Sequence, residues 1–126
     1  MNLSVTTTEQ DGTTVITAGG EIDVYTAPKL RDALDQQISA GRLDLIADLS
    51  GVSFIDSTGL GVLVGRLRYL TTHEGSLRVV TQSERVLRVF DITGLDAVFP
   101  IHATLEEACT AARAQHTHVG RHRSHP

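Results

Sequence analysis

A chain of 126 residues, 40% apolar and 21% charged, has room for one hydrophobic core and one domain. A net charge of −4 argues against a nucleic-acid surface, and no apolar run approaches the roughly 18 residues that cross a bilayer. The single cysteine, Cys109, rules out an internal disulfide, and the core must be aliphatic because there is no Trp and only two Tyr and three Phe.

The N-terminus has neither the basic region nor the apolar stretch of a signal peptide, so a cytoplasmic location is expected. Charge is unevenly spread. Residues 1–112 hold all 15 acids against 8 Lys and Arg, whereas 113–126 hold three Arg, four His and no acid. That polar stretch is expected to be a disordered basic, His-rich tail to a domain of residues 1–112. Its histidines have metal-binding chemistry, but a disordered segment has no second shell to hold ligands, so no metal site is expected.

Leu3 to Thr8 reads as a strand, Asp11-Gly12 as a hairpin turn, and Thr13 to Thr17 as the return strand, broken by Gly19-Gly20. Thr26-Ala27-Pro28 opens a helix whose Leu30, Leu34 and Ile38 form an apolar stripe, ended by Gly41. Leu43 to Leu49 is a strand, followed by a loop and a second helix over about Thr58 to His73. Gly61 and Gly65 lie on one line of that helix. Each costs about 1 kcal/mol relative to Ala, which predicts close approach by another backbone. Leu77 to Thr81 is the next strand. Ser83 caps a third helix with Val86, Leu87 and Phe90 inward, Val98 to Ile101 is a short last strand, and Thr104 with Glu107 forms a capping box for the last helix. A hairpin followed by alternating helices and strands predicts a small α/β domain with a mixed sheet and helices packed on it.

The segment Phe54-Ile55-Asp56-Ser57-Thr58-Gly59-Leu60-Gly61 carries the functional signal. Phe54 and Ile55 read as buried anchors, and Asp56, Ser57 and Thr58 as the exposed start of the second helix. Ser57, near the N-cap position, is accessible and rigidly placed, which suits a hydroxyl that a kinase must find; the plainer reading is a helix cap.

Enzymatic readings fail on their residues. The flanks of Ser57 do not make a G-x-S-x-G elbow, and nothing in the sequence pairs His73 or His102 with it. Gly59, Gly61 and Gly65 miss the dinucleotide fingerprint by one residue, in a run too apolar for a loop, and the Lys-Ser/Thr of a P-loop is missing. A phosphoaspartate receiver needs clustered carboxylates and a late lysine, whereas Lys29 in the first helix is the sole lysine. No enzyme activity and no cofactor are expected.

Gly20-Glu21-Ile22-Asp23-Val24-Tyr25-Thr26-Ala27-Pro28, the Asp56-Ser57-Thr58-Gly59-Leu60-Gly61 segment, Ser83-Glu84-Arg85 and Phe90-Asp91-Ile92-Thr93-Gly94-Leu95 together form a pattern. Over residues 3 to 112 the chain resembles the bacterial anti-sigma-factor antagonists, stand-alone STAS-domain proteins of the stress and developmental branches. The resemblance implies a binding protein that captures an anti-sigma factor with serine-kinase activity and so frees a sigma factor. It implies that the kinase phosphorylates Ser57, with Thr58 as second choice, and that a PP2C-type phosphatase reverses this. It places Asp23 at the partner surface. The expected binding set is Glu21, Asp23, Asp56, Ser57, Thr58, Gly59 and Leu60, with no nucleic acid or membrane partner, in a monomer or weak dimer. Glu21, Asp23 and Asp56 are expected to form an acidic rim around Ser57, although a plain polar loop accounts equally for Glu21 and Asp23. Arg85 and Arg88 are expected on a solvated helix face, and Asp48 is expected to bond nearby amides. A STAS-type scaffold or ligand-sensing module, binding a nucleotide or lipid without phosphorylation, is the competing reading.

Overall fold

The structure is a computed structural model that describes residues 2–123, with the backbone alone for residues 116–123. Strands β1 (Leu3–Gln10) and β2 (Thr13–Ile22) form the expected hairpin. Its turn residues Asp11 and Gly12 both have positive φ, 54° and 82°, the twist that a two-residue hairpin requires. Helix α1 (Ala27–Ser39) leads to β3 (Asp44–Ile55), α2 (Ser57–Thr72) to β4 (Ser76–Val80), and α3 (Glu84–Ile92) to β5 (Ile101–His102) and α4 (Leu105–Arg123). The sheet order is β1-β2-β3-β4-β5, antiparallel at the hairpin and parallel elsewhere, so the expected mixed α/β sheet is what forms.

The sheet alternates its side chains between two cores. Ile16, Ala18 and Ile22 of β2, with Leu45, Ala47 and Leu49 of β3, pack against Leu30 and Leu34 of α1, Leu60, Leu63 and Leu70 of α2, and Val86 and Phe90 of α3. Val15, Ile46 and Val80 point the other way and meet Ala108 and Cys109 of α4. Burying each such Leu, Ile or Val contributes about 1.5–3 kcal/mol, so the three-helix face dominates the stability. No helix among the described residues is long and apolar enough to cross a membrane.

Several elements depart from the sequence reading. Strand β2 does not stop at Gly19-Gly20. It runs to Ile22 through two register shifts against β3, and Gly20, at φ 120°, lies where a Cβ would sit 2.2 Å from the Asn2 carbonyl oxygen. Strand β3 runs to Ile55, absorbing the expected loop, because Val52 and Ile55 still find core positions. Gly61 and Gly65 have nothing within 4 Å of where a Cβ would be, so among the described residues no backbone of another element approaches them. The close contact falls on Gly59 instead. Leu87 is 37% exposed, the inward positions of α3 being Val86, Val89 and Phe90. A 3-10 turn at Leu95–Ala97 occupies the approach to β5, leaving Val98 exposed and Phe99 buried edge-on against Phe90, ring centroids 5.7 Å apart.

The Thr104 cap forms, with Glu107 N–H donating to Thr104 Oγ1 at 3.1 Å, while the Glu107 carboxylate accepts from the Thr104 hydroxyl at 3.2 Å. The helix it opens passes the expected domain boundary at residue 112. Arg113 pairs with Asp11 at 2.6 Å, and Gln115 Oε1 accepts from Arg78 Nη2. The backbone of the expected tail continues α4 as far as Arg123, whereas residues 124–126 and the side chains of 116–123 lie outside the described residues.

Candidate functional site

Parallel strands end on the same edge of a sheet, which brings the loops that follow them together. Ile22 at the end of β2 is paired with Ile55 at the end of β3, and the Asp56 N–H donates to the Ile22 carbonyl oxygen at 3.1 Å. The loop into α1 and the start of α2 therefore lie side by side.

Asp56, not Ser57, is the N-cap of α2. Its extended backbone (φ −106°, ψ −174°) turns the carboxylate back so that Oδ1 accepts from the Thr58 N–H at 2.9 Å and the Gly59 N–H at 3.2 Å. Ser57 becomes the first helical residue, and Ser57 and Thr58 are both exposed. The plainer reading of Ser57 as the helix cap is thereby corrected: the Asp56 carboxylate is the cap. Gly59 fixes the seat of the helix. A side chain there would meet Ile22 Cγ2 at 2.5 Å and Ile55 Cγ1 at 2.8 Å, so only a bare Cα lets α2 rest on the two strand ends. Gly59 and Leu60, both in the expected binding set, are buried; they hold the surface up rather than form it.

Asp23 is likewise turned inward. Only 8% exposed, its Oδ1 accepts from the Tyr25 N–H at 2.9 Å, the Thr26 N–H at 3.0 Å and Thr26 Oγ1 at 3.2 Å. Thr26 Oγ1 also accepts from the Asp23 N–H at 2.9 Å and bonds to the Glu21 carbonyl oxygen at 2.8 Å. The Thr26 amide bond, against the opposing pull of burial and with help from the Tyr25 amide, holds the Asp23 carboxyl below its ordinary pKa. The expected acidic rim is thus reduced. Asp23 is a clamp for the loop into α1, and Glu21 and Asp56 are half-buried. The sequence reading passed over Val24 and Tyr25, which this clamp leaves 57% and 85% exposed. Their signal was two large apolar side chains placed between two polar loop formers, Asp23 and Thr26.

Neither histidine of the sequence reading reaches Ser57. His73 stacks on Tyr69, with ring centroids 4.0 Å apart, and its Nδ1 bonds the Tyr69 carbonyl at the far end of α2, about 24 Å along the helix. His102 pairs with Val80, and Val80 with Asp48; seven steps along β3 then separate Asp48 from Ile55, about 23 Å. Its Nε2 faces Arg78 Nη1 at 3.1 Å on the α4 side of the sheet. Burial, and then the Arg78 charge, push the His102 pKa down, with Glu107 opposing. Asp48 accepts from the Ser50 N–H at 3.0 Å, as expected of it. The edge around Ser57 presents an anchored, accessible hydroxyl beside a clamped loop, and among the described residues neither histidine lies near it.

Comparison with known proteins identifies the family and the fold. The STAS domain model matches residues 4–108. The chain is 40% identical over 106 residues to the anti-sigma-B factor antagonist of Staphylococcus aureus, covering 84% of this chain and 98% of that protein. It superposes on the crystal structure of an anti-sigma factor antagonist from Mycobacterium paratuberculosis with a TM-score of 0.83 at 35% identity, covering 89% and 95% of the two chains. A third relative, the Bacillus cell fate determinant SpoIIAA solved in its phosphorylated form, aligns with a TM-score of 0.68 at 28% identity over 86% of this chain and 98% of that one. From fold, motif and sequence together, the chain belongs to the STAS-domain family, in the group of the bacterial anti-sigma-factor antagonists.

Proposed function

We propose that this protein is an anti-sigma-factor antagonist switched by phosphorylation of Ser57. In this reading it docks on an anti-sigma factor through the loop after β2 and the start of α2, and so releases the sigma factor. The partner's serine-kinase activity then phosphorylates Ser57 and ends the complex, and a PP2C-type phosphatase restores it. The protein acts in the cytoplasm, as a monomer or weak dimer.

The observation that carries the reading is the placement of Ser57. It is the exposed first residue of a helix whose start is locked by the Asp56 cap and by the Gly59 contact with Ile22 and Ile55. A kinase requires an accessible hydroxyl, and a switch requires that hydroxyl to stand on a rigid surface. The name of the Staphylococcus aureus relative and the phosphorylated form of SpoIIAA support the same role.

The test is intact-mass measurement after incubation with the purified anti-sigma-factor kinase of the same cell and ATP, followed by peptide mapping. A gain of one phosphate on Ser57 is expected. Binding without any phosphate uptake would favour the scaffold reading, and modification of Thr58 with Ser57 bare would move the switch by one residue.

A further inference from the structure

Resting on the docking role just proposed, we infer that Val24 and Tyr25 are the apolar anchor by which this protein recognises its anti-sigma-factor partner, seated in an apolar pocket of that partner. A lone exposed apolar side chain needs no explanation. Here two adjacent ones, Val24 at 57% and Tyr25 at 85% exposure, stand on a loop that is immobilised from within. The Asp23 carboxylate holds the amides of Tyr25 and Thr26, Thr26 Oγ1 bonds the Asp23 amide and the Glu21 carbonyl, and the Ala27 N–H donates to the Asp23 carbonyl oxygen at 2.8 Å. Every polar group in that set turns inward, so the two large side chains point out.

A loop ordered during folding loses little further freedom on binding, which is what gives a preorganised anchor its affinity. Tyrosine suits the task because it offers a large contact area on only two side-chain torsions, and aromatic side chains dominate the energetics of interfaces.

Position separates this pair from the other exposed apolar residues. The Asp56 amide bond to Ile22 sets the Val24–Tyr25 loop beside Ser57. Ile92 (76% exposed) instead ends α3 and Val98 (54%) follows it, and α3 starts after the end of β4 and runs back toward the other end of the sheet. Charge selects the occupant. Residues 20–28 and 50–61 carry Glu21, Asp23 and Asp56 and no Lys or Arg, so a second copy of the chain would oppose acid to acid. A partner with an apolar pocket and a basic rim fits. The same arrangement deepens the switch, because a phosphate on Ser57 would have to be desolvated next to the anchor.

Calorimetric titration of the purified anti-sigma-factor kinase of the same cell with wild type, Tyr25→Ala, Tyr25→Phe, Val24→Ser and Ile92→Ser tests this. Tyr25→Ala should weaken binding about 30-fold or more, the loss of an interface hot spot, and Val24→Ser should weaken it less. Tyr25→Phe and Ile92→Ser should bind as wild type does. All three sites are exposed, so thermal unfolding midpoints should be unchanged. Tyr25→Ala binding within about threefold of wild type, or no more weakly than Ile92→Ser, would overturn the anchor while leaving the docking role intact. A wild-type protein that does not bind the kinase would overturn the docking role itself. A wild-type dimer in light scattering that Tyr25→Ala dissolves would make a second copy the occupant and overturn the assignment.

Discussion

The Asp56 N–H donates to the Ile22 carbonyl oxygen at 3.1 Å, and this one bond makes a single platform of two loops distant in sequence. It carries the β2–β3 pairing past Ile55 and into the cap of α2. The position of Ser57 therefore depends on where β2 ends, not only on the helix that Ser57 starts.

Asp56→Ala should lower stability by about 1 kcal/mol, because the Thr58 and Gly59 amides lose their acceptor. Asp56→Asn keeps an acceptor oxygen and should lose clearly less. Urea unfolding of the three proteins measures the difference; equal losses in the two variants would mean that the carboxylate charge, not the cap, is what counts.

The three glycines of α2 should respond with opposite signs. Gly59→Ala forces a methyl to within 2.5 Å of Ile22 Cγ2 in a packed core and should cost about 1–3 kcal/mol. Gly61→Ala and Gly65→Ala meet nothing within 4 Å on an ordinary helix and should each stabilise by about 0.5–1 kcal/mol. Thermal unfolding of the single variants decides it, and destabilisation by Gly61→Ala would reveal a contact of that face.

These glycines also mark what was legible in the sequence. Helical periodicity identified α1 and α2, and the chemistry of Asp11-Gly12 and Thr104-Glu107 identified a turn and a cap, because local rules govern those features. Which glycine of α2 is crowded depends on β2 and β3 ending beneath it, and nothing within the helix encodes that. Ser57 was legible as an exposed hydroxyl at a helix start. Asp23 was misjudged as an open acid because its bonds run to the amides of Tyr25 and Thr26, so the loop fold decides where the carboxylate faces. The length of β3 was hidden by Ser50, Gly51 and Ser53, weak strand formers: Gly51 pairs with Gly19 of β2, while Ser50 and Ser53 fall at the two register shifts of that ladder.

Pairing across the sheet also moves the boundary of the domain. Arg78 is 8% exposed, and Gln115 on α4 accepts from its Nη2. Truncation before Arg113 removes that acceptor and the Arg113–Asp11 pair. Gln115→Ala should cost about 1–3 kcal/mol by leaving a buried guanidinium N–H unmet. Truncation from residue 113 should cost at least as much, whereas truncation after Gln115 should spare both contacts. Unfolding free energies of the three forms measure this, and a truncation at 113 as stable as the full chain would show that α4 can be shortened freely.

His102 should give the protein a pH-dependent stability. Arg78 stays charged, so the His102 Nε2 facing it is held as an acceptor on a neutral ring. Burial first and the Arg78 charge second lower its pKa below the ordinary 6.5, with Glu107 acting the other way. Below about pH 6.5 the unfolded chain takes up a proton that the folded state refuses, so stability is full above that pH and falls as pH drops toward the lowered folded value. His102→Gln keeps a hydrogen-bonding side chain without the titration. Its urea midpoint should fall less than that of wild type between about pH 7.5 and pH 5.5. Parallel losses in the two proteins would place the proton uptake elsewhere.

Phosphorylation of Ser57 should break the partner complex and leave the domain folded. A phosphate adds about −1.5 to −2 charge at pH 7, beside the Asp56 carboxylate and close to Glu21 and Asp23. At the first position of α2 the helix dipole tolerates that charge by roughly 0.3–1 kcal/mol, so the fold is not what suffers. In a closed interface the same dianion loses its water, and an unpaired buried charge costs about 2–5 kcal/mol or more. At about 1.4 kcal/mol per tenfold, binding weakens by a factor of roughly 30 to several thousand. Ser57→Ala should therefore hold the anti-sigma factor persistently in the presence of ATP, and Ser57→Asp should bind weakly, though less weakly than the phosphoprotein because one carboxylate carries less charge. Calorimetric titration of wild type, both variants and the phosphorylated protein, each checked as folded by circular dichroism, measures the order. Equal affinity for the phosphorylated and unmodified forms would reduce Ser57 to an ordinary first residue of a helix.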